Sequence, residues 1–167
     1  DSATATCLPS TLCVGDDKVF FQNTGHIVSL DASSGKTLWK NARLSVLERK
    51  SWSAPTLVVE DTILLSADRQ SRVERPKSGD TVQWEVTSRP PRGEEYKGKL
   101  KTYSTRSGDE LWQCPTAMNY TAPPDIFVVN GVVWTGTDPG RNHPDYQKGR
   151  DLETGKVVKA GVGRYGP

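Results

Sequence analysis

The sequence predicts an all-β fold built from repeated four-stranded antiparallel sheets, and two patterns support that prediction. The first is a ten-residue stretch with a shared glycine, which occurs three times in the 167 residues. The second is a proline-led hairpin that precedes each copy of the first pattern. Because strand-forming residues flank turn residues in both patterns, each module is expected to be a meander of four short strands.

The glycine-centred stretch occurs as Leu30–Trp39, Tyr103–Trp112 and Arg150–Lys159. Its glycine is expected to adopt a positive φ, which glycine does without steric cost. Four residues earlier, a side-chain oxygen closes an Asx-type turn, through a carboxylate in the first and third copies and a weaker hydroxyl in the second. A tryptophan ends the first two copies, whereas a lysine ends the third. The structural repeat motif consists of Asp31, Gly35, Trp39, Ser104, Gly108, Trp112, Asp151 and Gly155.

The proline-led hairpins begin at Pro9, Pro55 and Pro124. β-Branched and aromatic residues flank the centre of each hairpin, as in strands. Two-residue turns are expected at these centres, and Asn-Gly is the strongest sequence signal for such a turn. The predicted turns are Asp16-Asp17, Glu60-Asp61 and Asn130-Gly131.

Stacking explains how these sheets form a core. A single four-stranded sheet cannot bury both faces, and a four-stranded repeat of roughly 40–50 residues is typical of propeller blades. We therefore predict that residues 1–167 form a partial β-propeller of about three four-stranded antiparallel blades. The modules are expected at about 9–40, 54–113 and 122–160. The glycines of the first two copies are further apart than those of the last two, so the middle blade carries an insertion at about 69–96.

The insertion is polar and contains a short alternating apolar segment, Thr81–Val86. Both an extra hairpin and a solvated excursion are consistent with this pattern. Long loops on rigid scaffolds frequently carry binding residues. The candidate binding flap consists of Arg72, Arg75, Trp84, Arg89, Arg92 and Tyr96.

Composition agrees with a turn-rich β protein. Hydrophobic residues make up 34% of the chain, and 15 glycines and 11 prolines separate the short apolar runs. No apolar run approaches the roughly 20 residues of a membrane span. The net charge is only +2, and acidic residues alternate with the basic ones in the insertion. We therefore expect neither a membrane span nor a nucleic-acid partner.

The cysteines leave two interpretations open. Cys7, Cys13 and Cys114 give an odd count, so at most one internal disulfide can form. Buried thiols are one interpretation, because free cysteine is commonly buried. The other is a bridge between Cys7 and Cys13, or between one of them and Cys114.

No catalytic or metal-binding group is expected from the motifs. The sequence shows no recognisable nucleophile or acid–base pair. His143 lies near Asp138 and Asp145, but one histidine and two aspartates in a Pro/Gly-rich loop follow no ligand spacing rule. We interpret these residues as solvated loop side chains.

Once aligned, the modules resemble the repeats of the pyrroloquinoline-quinone-like (PQQ-like) β-propellers, whose blades carry a proline-led hairpin and an "LDxxTGKxxW" strand pair. The resemblance extends from about Pro9 to about Lys159 and is carried by the shared glycines and by Trp39 and Trp112. It implies a bacterial secreted protein, in the periplasm or outside the cell. Propellers of this family close with about seven or eight blades. The resemblance therefore implies a fragment of a longer propeller, completed by remaining blades, other copies of the chain or another subunit.

The same resemblance frames two functional hypotheses. Family members that are quinoprotein dehydrogenases carry adjacent cysteines, a tryptophan stacked on the quinone and an Asp/Glu/Asn set for Ca²⁺. No Cys-Cys pair occurs here, and Trp39 and Trp112 stand at the structural tryptophan position of the repeat. We therefore expect a non-catalytic binding or scaffold module without a cofactor. The alternative is a fragment of a PQQ-dependent dehydrogenase whose quinone and calcium site lies mostly outside this chain.

Overall fold

A computed structural model describes residues 7–8, 11–23, 25–42, 56–69, 97–117, 125–135 and 148–160. These residues form twelve strands and, within those ranges, no helix. The first sheet contains β1 (Cys13–Gly15), β2 (Lys18–Gln22), β3 (His26–Asp31) and β4 (Thr37–Ala42). The middle sheet contains β5 (Thr56–Glu60), β6 (Ile63–Arg69), β7 (Lys97–Ser104) and β8 (Glu110–Ala117). The third sheet contains β9 (Ile126–Val129), β10 (Val132–Thr135), β11 (Lys148–Asp151) and β12 (Val157–Ala160).

Each sheet is an antiparallel meander in which sequential strands are neighbours. The first strands of consecutive sheets contact each other, β1 with β5 and β5 with β9. The sheets therefore stack face to face with their first strands together, as propeller blades do. This arrangement confirms the predicted fold class, an all-β partial propeller.

Two of the three hairpin turns lie where the sequence predicts them. Asp16 and Asp17 connect β1 to β2 with φ values of 51° and 54°. Asn130 and Gly131 connect β9 to β10 with φ values of 51° and 71°. A positive φ at both central residues matches the twist of the flanking strands, which explains the preference for aspartate, asparagine and glycine there.

The middle hairpin turn lies one residue later than predicted. Glu60 is the last residue of β5 and pairs with Ile63, so the two-residue turn is Asp61-Thr62 rather than Glu60-Asp61. Asp61 has a φ of 50°. Aspartate tolerates this left-handed region better than most residues, which explains why Asp61, and not Glu60, takes the first turn position.

The core lies between the sheets. Phe20 and Ile27 of the first sheet meet Leu57, Leu64 and Tyr103 of the middle sheet. A second core joins the middle and third sheets through Ile63, Leu65, Ala67, Leu100, Cys114, Val133 and Leu152. The middle sheet is thus covered on both faces. This burial explains why the β6 residues 63–68 are all buried, unlike a strand with one face in solvent.

The predicted insertion and the loop around His143 lie outside the residues that the structure describes. β6 ends at Arg69 and β7 begins at Lys97, so residues 70–96 connect the second and third strands of the middle sheet. The candidate flap lies outside the described residues, as do the loop residues Asp138, His143 and Asp145. Among the described residues, no helix has the length and apolarity needed to cross a bilayer.

The structure decides between the two interpretations of the cysteines. All three lie in the described part of the chain, and none is in a disulfide. Cys7 is exposed, Cys13 is half-buried against the first core, and Cys114 is buried in the second core. Burial raises the pKa of the Cys13 thiol to about 11.

The three thiols are therefore expected to react with iodoacetamide in the order Cys7, Cys13, Cys114. The thiolate is the nucleophile, so Cys13 labelling should accelerate by ~tenfold per pH unit until the pH approaches its pKa. Peptide mass spectrometry of quenched samples measures each rate. A Cys13→Ser variant identifies the Cys13 peptide signal, and equal rates at all three sites would contradict these positions.

Candidate functional site

The candidate site is the seam where the last strand of one sheet docks on the glycine turn of the next sheet. At the first seam, Trp39 of β4 donates a hydrogen bond from Nε1 to the carbonyl oxygen of Thr105, at 2.9 Å. The indole lies over Gly108, where an added Cβ atom would stand 2.8 Å from Trp39 Cδ2. Asn41 adds a hydrogen bond from Nδ2 to the Gly108 carbonyl oxygen. The turn therefore needs glycine for contact as well as for backbone conformation.

The second seam has the same construction. Trp112 of β8 donates from Nε1 to the Leu152 carbonyl oxygen at 2.9 Å. A Cβ atom on Gly155 would stand 2.6 Å from Trp112 Cδ2. Each tryptophan thus contacts the following sheet, whereas the sequence showed only that it ends the glycine-centred stretch. The sequence pattern gave no signal for this partner, because the contacting residues are 66 and 40 positions apart.

The three glycine turns share one geometry. Gly35, Gly108 and Gly155 have φ values of 69°, 78° and 68°. In each turn the glycine N–H donates, at 2.9 Å, to the carbonyl oxygen four residues earlier. Those earlier residues are the predicted turn-closing positions Asp31, Ser104 and Asp151.

Side-chain acceptors reinforce these turns to different degrees. Asp31 Oδ1 accepts from the Ser34 N–H and hydroxyl, both at 2.7 Å, and from both groups of Ser33. These hydrogen bonds, with the Ser34 hydroxyl contributing most, lower the pKa of Asp31 to about 2. Asp151 accepts from the Thr154 N–H and hydroxyl, which lowers the pKa of Asp151.

The second turn is reinforced more weakly. Ser104 Oγ accepts only a long hydrogen bond, at 3.3 Å, from the Ser107 N–H. The neighbouring Asp109 adds a local contact instead, because its Oδ2 accepts from the Ser107 hydroxyl at 2.6 Å. This difference agrees with the sequence expectation that a hydroxyl closes the turn less strongly than a carboxylate.

Two polar side-chain contacts, one partly buried and one buried, join the sheets of the first seam further. Thr105 Oγ1 donates to Asp16 Oδ2 at 2.6 Å, and Gln22 Nε2 donates to Ser66 Oγ at 2.8 Å. The hydrogen bonds from Lys18 and then Thr105 lower the pKa of Asp16. Sequence reasoning missed these contacts, since nothing in a single repeat indicates which polar side chain meets the next sheet.

The outer faces of the stack are apolar and open. Leu12, which directly precedes β1, and Val14 of β1 are each 65% exposed, and Phe127 and Val129 of β9 are 50% and 51% exposed. Strand registers align Leu12 and Val14 with Leu57 and Val59 in the middle sheet and with Ile126 and Val128 in the third. All four equivalents pack against a preceding sheet. Leu57 and Val59 pack against the first sheet, and Ile126 and Val128 pack against the middle sheet.

The described residues do not fit a quinone and calcium site. Trp39 and Trp112 already lie across the seams, with Nε1 bonded to backbone carbonyl oxygens. In the described ranges, no three His, Cys, Asp or Glu residues come together as a metal site would need. No cysteine follows another directly in the sequence.

Comparisons with known proteins bear on the fold. No family model matches the chain, and no curated protein sequence matches it. Among solved structures, the computationally designed Ika4 protein superposes with a TM-score of 0.53 and 16% identity, over 98% of this chain and 77% of that chain. At this identity the similarity concerns the fold alone.

Two natural proteins superpose over smaller shares of their own length. BamB from Moraxella catarrhalis has a TM-score of 0.47 and 18% identity, over 89% of this chain and 38% of that chain. A europium-containing methanol dehydrogenase has a TM-score of 0.39 and 23% identity, over 62% of this chain and 14% of that chain. The chain therefore spans well under half the length of both.

Gly108→Ala is expected to destabilise the protein more than Gly131→Ala. Both residues have a positive φ, but a Cβ at Gly108 meets Trp39, whereas the Gly131 position has open space among the described residues. Overpacking of this kind costs about 1–3 kcal/mol beyond the shared backbone strain. Urea unfolding, read as the free energy of unfolding, measures the difference. Equal losses in the two variants would contradict close packing at the seam.

The Asp31 carboxyl is expected to titrate near pH 2, and Ser34→Ala should raise that midpoint. Because the folded pKa is depressed, the stabilising hydrogen bonds are present above the unfolded pKa of about 4 and are lost as the pH falls through about 2. Carboxyl-detected NMR titration measures the midpoint. Ser107→Ala is the matched control in another turn and should leave Asp31 unchanged; an unshifted midpoint in Ser34→Ala would disprove the assignment.

Proposed function

We propose that the chain is a non-catalytic propeller module that serves as a binding or scaffold surface in a larger protein or assembly. The supporting observation is the contrast between equivalent faces of the three sheets. Leu57 and Val59 are covered by the first sheet, whereas Leu12 and Val14, at the equivalent positions beside and within β1, are exposed.

Large apolar side chains are exposed at both ends of the stack. Phe127 and Val129 on β9 add a second apolar surface at the other end of the stack. Contiguous apolar patches of more than a few hundred Å² are uncommon on monomers and mark interaction sites. Burying them contributes about 25 cal/mol per Å² to association. The partners in this proposal are remaining blades, other copies of the chain or another subunit.

The predicted flap and an exported location belong to the same proposal. The flap basic residues and Trp84 would provide a second contact, separate from the stacking faces. The polar insertion and the repeat resemblance support these two points, and both remain predictions.

The alternative is a fragment of a PQQ-dependent dehydrogenase, favoured by the Leu30–Trp39 repeat motif. In that case the residues that hold the quinone and calcium would lie mostly outside this chain. The alternative is second because only the repeat motif favours it, and Trp39 and Trp112 of that motif contact the neighbouring sheets instead. Addition of PQQ and Ca²⁺ to the chain tests this alternative.

If the end faces are binding surfaces, the full chain is expected to enhance the fluorescence of anilinonaphthalene sulfonate. Leu12→Ser combined with Val14→Ser should lower the signal, because the dye binds accessible apolar surface. Leu111→Ser is the matched control, since Leu111 is 46% exposed but lies on the middle sheet. Equal signals from all variants would contradict accessible end faces.

Two further arms use the same protein. Adding PQQ and Ca²⁺ should leave the quinone absorbance and the thermal midpoint unchanged, and a shift in either would support the dehydrogenase alternative instead. Deleting residues 70–95 should leave the far-ultraviolet β spectrum intact. Loss of the folded signal would contradict a surface flap.

A further inference from the structure

The three glycine turns are alike in conformation but unlike in what covers them. Gly108 is buried under Trp39 and Gly155 is half-buried under Trp112, whereas Gly35 is exposed. Apart from Gly35 and its two chain neighbours, no atom of the described residues lies within 4 Å of a Cβ built on Gly35. The Gly35 turn therefore has the shape of a tryptophan-binding turn without a described tryptophan on it.

The chain does not supply that tryptophan from the equivalent position of its third sheet. Trp39 pairs with Ser29 and Trp112 with Thr102, and the residue in the same register of the third sheet is Lys159, which pairs with Gly149. Lys159 is exposed. Among the described tryptophans, Trp134 is also engaged, because it packs over Gly149 within its own sheet.

The surface around Gly35 also matches the two occupied turns. Gly108 meets Trp39 on the face of the middle sheet that carries Leu57 and Val59. The corresponding face of the first sheet carries Leu12 and Val14, which are exposed. The glycine turn and the apolar strand thus lie on the same face of the first sheet, as their equivalents do at each occupied seam. In the first sheet both are exposed.

We propose that the Gly35 turn, together with Leu12 and Val14, is the docking site for a further four-stranded sheet that carries a tryptophan four residues after its own turn glycine. The proposal rests on the proposed function and names the partner of that surface. The indole would cover Gly35 and donate from Nε1 to the Ala32 carbonyl oxygen, which corresponds to the Thr105 and Leu152 oxygens of the occupied seams.

A second unmodified copy of this chain does not meet that requirement. Its third sheet would bring the Lys159 side chain to the Gly35 turn. Lysine lacks the planar ring that packs on the glycine, and burial of its ammonium group away from water is unfavourable without a partner charge. The inference therefore specifies a tryptophan-bearing sheet as the occupant.

The test places the missing tryptophan on the chain itself with Lys159→Trp in the full-length protein. The third sheet of one molecule should then dock on the first sheet of another, giving heterologous, head-to-tail association. The association constant should rise at least about tenfold over that of the unmodified chain, because the ring is buried and its N–H bonded. Sedimentation equilibrium over a range of concentrations measures it.

Two matched variants locate the contact in the Lys159→Trp background. Gly35→Ala and Gly131→Ala introduce the same side chain at φ values of 69° and 71°, both into open space among the described residues. Their backbone strain is therefore alike. Gly35→Ala should return association to the unmodified level, because its Cβ takes the space of the indole, whereas Gly131→Ala should leave association unchanged. Circular dichroism verifies folding of each variant.

Three results would overturn the inference: no gain in association with Lys159→Trp, equal effects of the two alanine variants, or unmodified chain that already associates as tightly as Lys159→Trp. The last result would identify a second copy as the occupant. Failure here leaves the proposed function standing if the dye still reports accessible end faces. Absence of dye binding would instead contradict the proposed function.

Discussion

The contact between a tryptophan and the glycine turn of the next sheet is the constraint on which the arrangement of this chain depends. The indole ring reaches across the seam, and its N–H has to find an acceptor once it is half-buried. A backbone carbonyl oxygen of the neighbouring turn provides that acceptor at 2.9 Å in both described seams. Such a hydrogen bond contributes about 1 kcal/mol net, but leaving the donor unpaired would cost more. The contact therefore fixes the register between sheets.

The same constraint explains the composition of the turns. Each glycine has a positive φ, and at two of them a side chain would also collide with the indole. Glycine is thus required at this position for two reasons: it adopts the positive φ without strain, and it leaves room for the indole ring. The local hydrogen bonds of Asp31 and Asp151 shape their own turns, and the middle copy has the same glycine geometry with the weaker closing group Ser104.

Because the three sheets stack in one direction, the two ends of the stack differ. Inside the stack, each sheet presents a tryptophan to the turn of the following sheet. At one end an open glycine turn lies beside Leu12 and Val14, and at the other end Lys159 stands where the tryptophan would be. The two ends therefore present different surfaces. This asymmetry gives the stack of three described sheets a direction.

The sequence alone determined the local structure. Period-two apolar strands, Asn-Gly and Asp-Asp turns and recurring glycines specify hairpins, because these preferences arise from the backbone and nearest neighbours. They predicted the all-β repeat fold and two of the three hairpin turns, with a one-residue error at Glu60, where three polar residues in a row fit several turns. Only the tertiary structure decided which residues meet across the seams, such as Trp39 with Gly108 and Thr105 with Asp16. It also decided that Cys114 is buried in a core. Such pairs depend on how whole sheets pack, and no local rule relates residues that far apart along the chain.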